Sequence, residues 1–228
     1  MNDTATKSKL SSNEQAQESK GYQNPLYLCL KRIGDILGAS IALLITCPVF
    51  LLISLLYLFG DNKGPVFFSQ KRIGRQGKVF KMYKFRSMIV NAEEVLKKDQ
   101  FLYKKYIENS YKLEPNEDPR ITKIGKLLRI TSLDELPQLI NVLRGDMSLV
   151  GPRPVIKEEL KEYQHRLKDF LSVKPGVTGY WQICGRSEVG YPERAKIEFY
   201  YIDHQSFKLD GLILFKTVWL VLKRKGAY

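Results

Sequence analysis

Apolar and polar positions divide the chain sharply. Residues 1–24 are rich in Ser, Asn, Gln and Lys and show no apolar periodicity. Such a segment buries too little surface to offset its chain entropy, and it is predicted to be a disordered tail. From Ile36 to Phe59 the pattern inverts, with no charged residue at all. That run is long enough to span a bilayer, which needs about 20 apolar residues. Its flanks are basic on both sides, with Lys31 and Arg32 before it and Lys63, Lys71, Arg72 and Arg75 after it. Basic flanks favour the cytoplasmic side, so both ends are drawn to the same face of the membrane. Pro48 interrupts the run, removing a backbone donor and crowding the preceding turn. A re-entrant helix that enters, breaks at Cys47-Pro48 and returns satisfies both facts; a kinked span and a buried soluble helix remain open.

After the apolar run the period shortens. Residues 64–88 read as two β-prone segments around Gly74-Arg75-Gln76-Gly77, a hairpin signal. Helices are predicted over Ala92 to Tyr111, Ile121 to Arg129, Val155 to Leu171 and Leu209 to Leu222. The last groups Leu212, Ile213, Phe215, Val218, Trp219 and Leu222 before Lys223-Arg224-Lys225. An aromatic, basic end suits a membrane interface, and a plain core helix is nearly as good a reading. The predicted fold class is mainly α with a small β-hairpin: a re-entrant membrane helix plus a cytosolic domain with amphipathic interfacial helices. The boundaries are a tail at 1–24, a membrane helix-hairpin at 25–60 and the cytosolic domain at 61–228.

Charge sharpens this picture. The chain has 37 Lys plus Arg against 24 Asp plus Glu, a net +13, and the neutral tail contributes none of it. A polyanionic partner is implied: nucleic acid, an anionic membrane surface or phosphorylated substrates. A hydrophobic fraction of 44% excludes a disordered polyelectrolyte. Cys29, Cys47 and Cys184 stand far apart with no CxxC pair, which excludes a disulfide framework and a zinc ribbon and fits a reducing compartment.

The familiar phosphate-loop, dinucleotide, serine-hydrolase and zinc-protease signatures are missing. His165 and His204 read as exposed surface residues. The informative cluster is Arg129 to Pro154. Ser132 and Glu135 have capping-box spacing with Pro137 early in the next helix. That reading leaves unexplained the adjacent carboxylates Asp134 and Glu135 in a basic chain, with Arg129, Arg144 and Arg153 close in sequence. An ionised carboxylate at a helix start suits a nucleophile or a Mg²⁺ ligand, and spacing alone does not choose between these and a cap. In Tyr83-Lys84-Phe85-Arg86, alternation puts Lys84 and Arg86 on one face, as a phosphate clamp or as the solvated face of an edge strand. Pro152-Arg153-Pro154 is a stiff mount for a charge or a surface turn.

The segment Thr131 to Pro154, with GlyProValPhePhe, TyrLysPheArgSerMet and ValLysProGlyValThrGlyTyrTrpGln, resembles the bacterial monotopic phosphoglycosyl transferases. These are the initiating sugar transferases of exopolysaccharide, capsule and O-antigen assembly, and the resemblance runs from Leu26 to Tyr228. It implies an integral monotopic enzyme on the cytoplasmic face of the bacterial plasma membrane. The implied reaction moves a sugar phosphate from a UDP-hexose to undecaprenyl phosphate and releases UMP. By position, Asp134 is implied to be the nucleophile and a Mg²⁺ ligand, and Glu135 its partner. Lys84, Arg86 and Arg129 would hold phosphate, Arg153 the nucleotide, and Asp210 would join the substrate site. The C-terminal part resembles members that transfer galactose 1-phosphate or glucose 1-phosphate. One departure is Cys47, where the family usually has serine before the proline; Thr46 is a substitute hydroxyl. A noncatalytic module binding anionic lipid is the alternative. Interleaved cations and aromatics at residues 78–86 are the sole support for nucleic acid, which is not an expected partner. Oligomeric state is open.

Overall fold

The computed structural model describes residues 25–59, 62–109, 113, 117–185 and 189–223. The tail expected over 1–24, residue 111 and the basic pair Arg224-Lys225 lie outside them. Helix α1, Pro25–Leu56, opens on a proline, which suits a first turn whose N–H groups have no helical partner. The helix runs unbroken through Cys47 and Pro48, so the two-armed hairpin expected there is a single helix of 32 residues. One missing N–H is outweighed because the helix is packed on both sides of the proline. Ala42 and Leu43 contact one core cluster, and Val49 and Phe50 another. Thr46 does take the hydroxyl role, with Oγ1 donating to the Ala42 carbonyl at 2.7 Å, and Ser54 Oγ bonds the Phe50 carbonyl at 2.8 Å.

One face of α1 lies against the rest of the protein, where Tyr27, Asp35, Ala39 and Ile53 are buried. The other face leaves Leu37, Ile41, Leu44, Ile45, Leu51 and Leu52 exposed, Leu44 at 75% and Ile45 at 72%. A contiguous apolar face of that kind marks contact with something other than water. The first turns are fastened by polar bonds. Lys31 Nζ and Tyr27 OH donate to Asp210 Oδ2 at 2.6 and 2.9 Å, and Tyr201 OH donates to Asp210 Oδ1 at 2.7 Å. Asp35 Oδ1 accepts from Ser148 Oγ and the Leu149 N–H, while Arg32 donates to the carbonyls of Val142 and Leu143.

Strands β1 (Phe67–Ile73) and β2 (Val79–Phe85) form the expected antiparallel hairpin, with Phe67 opposite Phe85 and Ile73 opposite Val79. The turn between them carries positive φ at Gln76 and Gly77. A second sheet pairs β3 (Ser148–Val150) with β4 (Gly176–Thr178) in parallel. The expected helix from Ala92 divides into α2 (Ala92–Lys98) and α3 (Gln100–Glu108), because Asp99 caps the second by accepting from the Leu102 N–H at 2.9 Å. Helix α4 (Lys123–Ile130) starts at a Thr122 cap. The next is α5 (Gln138–Arg144). The segment expected as a helix from Val155 is a 3₁₀ stretch, Lys157–Arg166, followed by α6 (Leu167–Ser172). Short α7 (Tyr180–Ile183) and α8 (Glu193–Asp203) lead to α9 (Phe207–Leu222). Helix α9 buries Ile213 completely while Phe215, Val218 and Trp219 stay exposed. It is therefore not a core helix, and its exposed side is itself apolar, with Lys223 over the Trp219 ring at its end.

Candidate active site

Strand parity decides where the hairpin's cations go. Phe80 and Met82 are buried, and Lys84 and Arg86 continue the same alternation, so both side chains start from the core face and not from a solvated edge. Lys84 reaches the adjacent carboxylates: its Nζ lies 2.7 Å from Glu135 Oε1 and 3.8 Å from Asp134 Oδ2. The carboxylates sit on a 3₁₀ turn, Leu133–Glu135, entered through Ser132 at φ 57°. Ser132 makes no side-chain cap, so the expected capping box is absent. The left-handed serine instead turns the chain so that Leu133 and Leu136 join the apolar cluster of Ile53, Tyr57, Phe85 and Leu128, with Asp134 buried between them. Helix α1 thus packs directly on the residues flanking Asp134.

Arg129 reaches this turn from α4, its Nε donating to Ser87 Oγ at 2.9 Å. Burial lowers its pKa from the ordinary guanidinium value, and Asp134 opposes that drop. Burial also pushes the Asp134 carboxyl up to about 6. Lys84 and Arg129 pull it down, and the Glu135 charge adds to the rise. The result is a carboxylate more basic than usual, which is a better nucleophile, facing two cations suited to phosphoryl oxygens. Arg86 is not among them. It is buried, donating from Nε to the Pro65 carbonyl at 2.7 Å, from Nη1 to the Met88 carbonyl at 3.0 Å and from Nη2 to the Asn62 carbonyl, with Tyr57 beneath it. Arg86→Ala is expected to destabilise the protein by about 3 kcal/mol, since a buried network of carbonyls loses its donors. Thermal melting checks this.

Arg153 belongs to a second cluster. Its guanidinium carbon and that of Arg194 lie 5.4 and 5.3 Å from the Trp181 ring centroid. Glu198, fully buried, accepts the Arg153 backbone N–H on Oε1 at 3.1 Å. Glu198 Oε2 and the Nε atoms of Arg72, Arg153 and Arg194 are buried without a hydrogen-bond partner. Arg72 connects the clusters, because the charges of both Arg153 and Glu135 act on it; burial brings its pKa to about 10. Sequence reading missed Arg72, Arg194 and Glu198, which lie in unremarkable helical or strand contexts. Trp181 was visible only within a longer motif.

A family profile described as bacterial sugar transferase matches residues 26–224. The chain belongs to that family. It is 42% identical to the exopolysaccharide production protein ExoY of Rhizobium meliloti over 92% of its own length and 93% of that protein's. It is 46% identical to an undecaprenyl-phosphate galactose phosphotransferase of Salmonella typhimurium over 87% of its length and 42% of the relative's. It is also 46% identical to the galactosyl transferase CpsE of Streptococcus agalactiae over 88% of its length and 44% of the relative's. This sugar transferase thus spans less than half of some relatives and nearly all of another.

In the sugar transferase, Asp134, Glu135, Lys84 and Arg129 come together as the sequence implied. Arg153 stands in the neighbouring arginine cluster, Arg86 is taken up by backbone carbonyls, and Asp210 is taken up by the tie to α1 and Tyr201. Arg144 turns to Tyr83 and Asp146. His165 and His204 are exposed, as are all three cysteines. Among the described residues no group of three or more His, Cys, Asp or Glu could hold a metal. Two adjacent carboxylates fit Mg²⁺, which takes one or two and completes its shell with water and substrate phosphates.

Glu198 supplies a measurable signature. Burial raises its pKa to about 8, against 4.5 ordinarily. Between those values the folded state holds a proton that the unfolded state releases. The contribution to stability is therefore full below pH 4.5 and lost as pH rises through 8. Glu198→Gln keeps an acceptor for Arg153 and removes the titration. Its melting temperature is expected to fall less than the parent's between about pH 5 and 8, the window between the two pKa values; parallel curves would refute this.

Proposed function

We propose that the sugar transferase moves a hexose 1-phosphate, galactose or glucose, from a UDP-hexose to undecaprenyl phosphate through a covalent aspartyl phosphosugar. The observation that supports this best is the buried, basic Asp134 beside Glu135 under Lys84 and Arg129. A carboxylate oxygen of Asp134 attacks the sugar-bearing phosphorus, the bond to the α-phosphate's bridging oxygen breaks, and UMP leaves with that electron pair. An oxygen of undecaprenyl phosphate then attacks the same phosphorus and Asp134 departs as carboxylate, so neither step needs a net proton. Lys84 and Arg129 neutralise the phosphoryl oxygens, and the work is positioning and charge compensation. Asp134, with Glu135, would hold Mg²⁺, whose chemistry is to draw negative charge from the diphosphate. The arginines around Trp181 would take the nucleotide, and the neutral form of Glu198 below about pH 8 leaves their positive charge available to it.

The membrane reading accompanies the chemistry. Helix α1 and the turn that follows it touch the same globular body from Tyr27 to Tyr57, including both sides of Pro48. A perpendicular span confines such contacts to one end, whereas a helix dipping into one leaflet keeps both ends with the domain on the cytoplasmic face. An impermeant thiol reagent should then label Cys29 and a Lys63→Cys variant only from the cytoplasmic side. The names of the relatives favour galactose as the first donor to try. The deciding experiment is UMP release with a panel of UDP-sugars plus undecaprenyl phosphate. Binding to acidic vesicles with no UMP from any donor would replace the enzyme by a noncatalytic lipid-binding module.

A further inference from the structure

A cavity of about 310 Å³ lies beneath the first turns of α1, apart from the carboxylate dyad. Its walls include Leu28, Cys29, Lys31 and Arg32 from α1, Arg75 from the hairpin turn and Lys174 after α6. The dyad is at the other end of the hairpin: from Lys84 to Val79 is five residues, about 17 Å at the usual strand rise, and Arg75 lies beyond in the turn.

Charge in the cavity is unbalanced. Lys31 is paired with Asp210 at 2.6 Å, and Asp35 is committed to Ser148 and the Leu149 N–H. Four cations (Lys31, Arg32, Arg75, Lys174) against two carboxylates (Asp35, Asp210) leave 4 − 2 = +2. Among the described residues neither Arg75 nor Lys174 has a carboxylate within 4.0 Å. Burial lowers the Lys174 pKa, Arg32 and Arg75 lower it further, and Asp35 and Asp146 partly oppose the drop. Leu28, Val150, Val173 and Tyr201 supply apolar wall beside these cations. A bare inorganic anion would leave such wall bare; a phosphate carried on an organic group covers both. The same helix turns outward Leu26, Leu30, Ile33 and Leu37, all exposed. An apolar helix face beside a basic cavity matches the two parts of an anionic lipid, its chains and its headgroup.

We infer that this cavity is a second phosphate site, in which Arg75 and Lys174 hold the phosphate ester of an anionic membrane lipid, while Arg32, held by the Val142 and Leu143 carbonyls, adds positive charge beside them. It is independent of the dyad and of any donor, and it would seat the amino-terminal end of α1 at the headgroup layer.

Cys29 lines the cavity and is exposed, so it reports occupancy. In a full-length Cys47→Ser, Cys184→Ser background, alkylation of Cys29 is timed in phosphatidylglycerol-containing nanodiscs, in phosphatidylcholine nanodiscs, and in detergent with or without inorganic phosphate. Protection follows occupancy, so at ten times the dissociation constant phosphatidylglycerol is expected to slow alkylation about tenfold relative to phosphatidylcholine. The slowing should vanish in Arg75→Ala, Lys174→Ala with the melting temperature retained. Equal rates in the two nanodiscs, or protection that survives the double substitution, overturn the inference. Protection by inorganic phosphate alone, with none from phosphatidylglycerol, overturns the lipid source.

Discussion

Asp134→Asn is expected to lower UMP release by about 10⁴-fold or more, the scale of loss when a covalent nucleophile is removed. It should also take up no label from a UDP-hexose radiolabelled in the sugar-bearing phosphate. Asparagine has nearly the same shape, and its neutral amide suits a buried position better than a carboxylate whose pKa burial has pushed to about 6. The variant should therefore melt no lower than the parent, which separates lost chemistry from lost fold. Glu135→Gln, one residue on and more exposed, should still take up label while turning over more slowly. An Asp134→Asn enzyme within about tenfold of the parent would remove Asp134 as nucleophile.

Gly125→Ala should be among the most damaging single-methyl additions in the chain. A Cβ at Gly125 would stand 1.8 Å from the Ser87 carbonyl oxygen and 2.5 Å from its carbon. Both are backbone atoms, so no side-chain end can swing aside. The cost is about 3 kcal/mol, at the upper end for overpacking. That corresponds to roughly 6–12 °C in melting temperature for a protein of this size. Turnover should fall beyond what stability explains, because Ser87 Oγ orients Arg129 against Asp134. A methyl added at Gly34 would meet no atom within 4 Å, so Gly34→Ala is the matched control and should be neutral or stabilising. A Gly125→Ala midpoint equal to the parent's would mean that α4 does not rest on Ser87.

The legible parts of the sequence were those with strong local signals. The hairpin carried its own turn residues, and α9 its dense run of apolar residues. The pair Asp134-Glu135 stood out because carboxylates are scarce in a chain of this charge. What escaped was set by tertiary partners. Strands of three residues leave no alternation to read, so β3 and β4 went unseen. Alternation placed Arg86 beside Lys84 correctly, yet could not show that the 62–65 segment folds back over it and takes its donors. A local rule that weighs one hydrogen bond makes Pro48 a break; the packing of Val49 and Phe50 on the domain keeps the helix running through it. Glu198 looked like any charged helical residue until its neighbours in space, Arg153 and Arg194, were known.

The bonds from Tyr27 and Lys31 to Asp210 join positions separated by 183 and 179 residues. At about 5–20 residues per second, the ribosome needs roughly 10–35 s to make the stretch between Lys31 and its counter-ion. Until then the amino-terminal helix carries a cationic end whose counter-ion has not been made. On the membrane reading proposed above, the helix would meet the bilayer as a bare positive charge, before the rest of the polypeptide can fold around it. The aspartate arrives last, as a latch on the first element made.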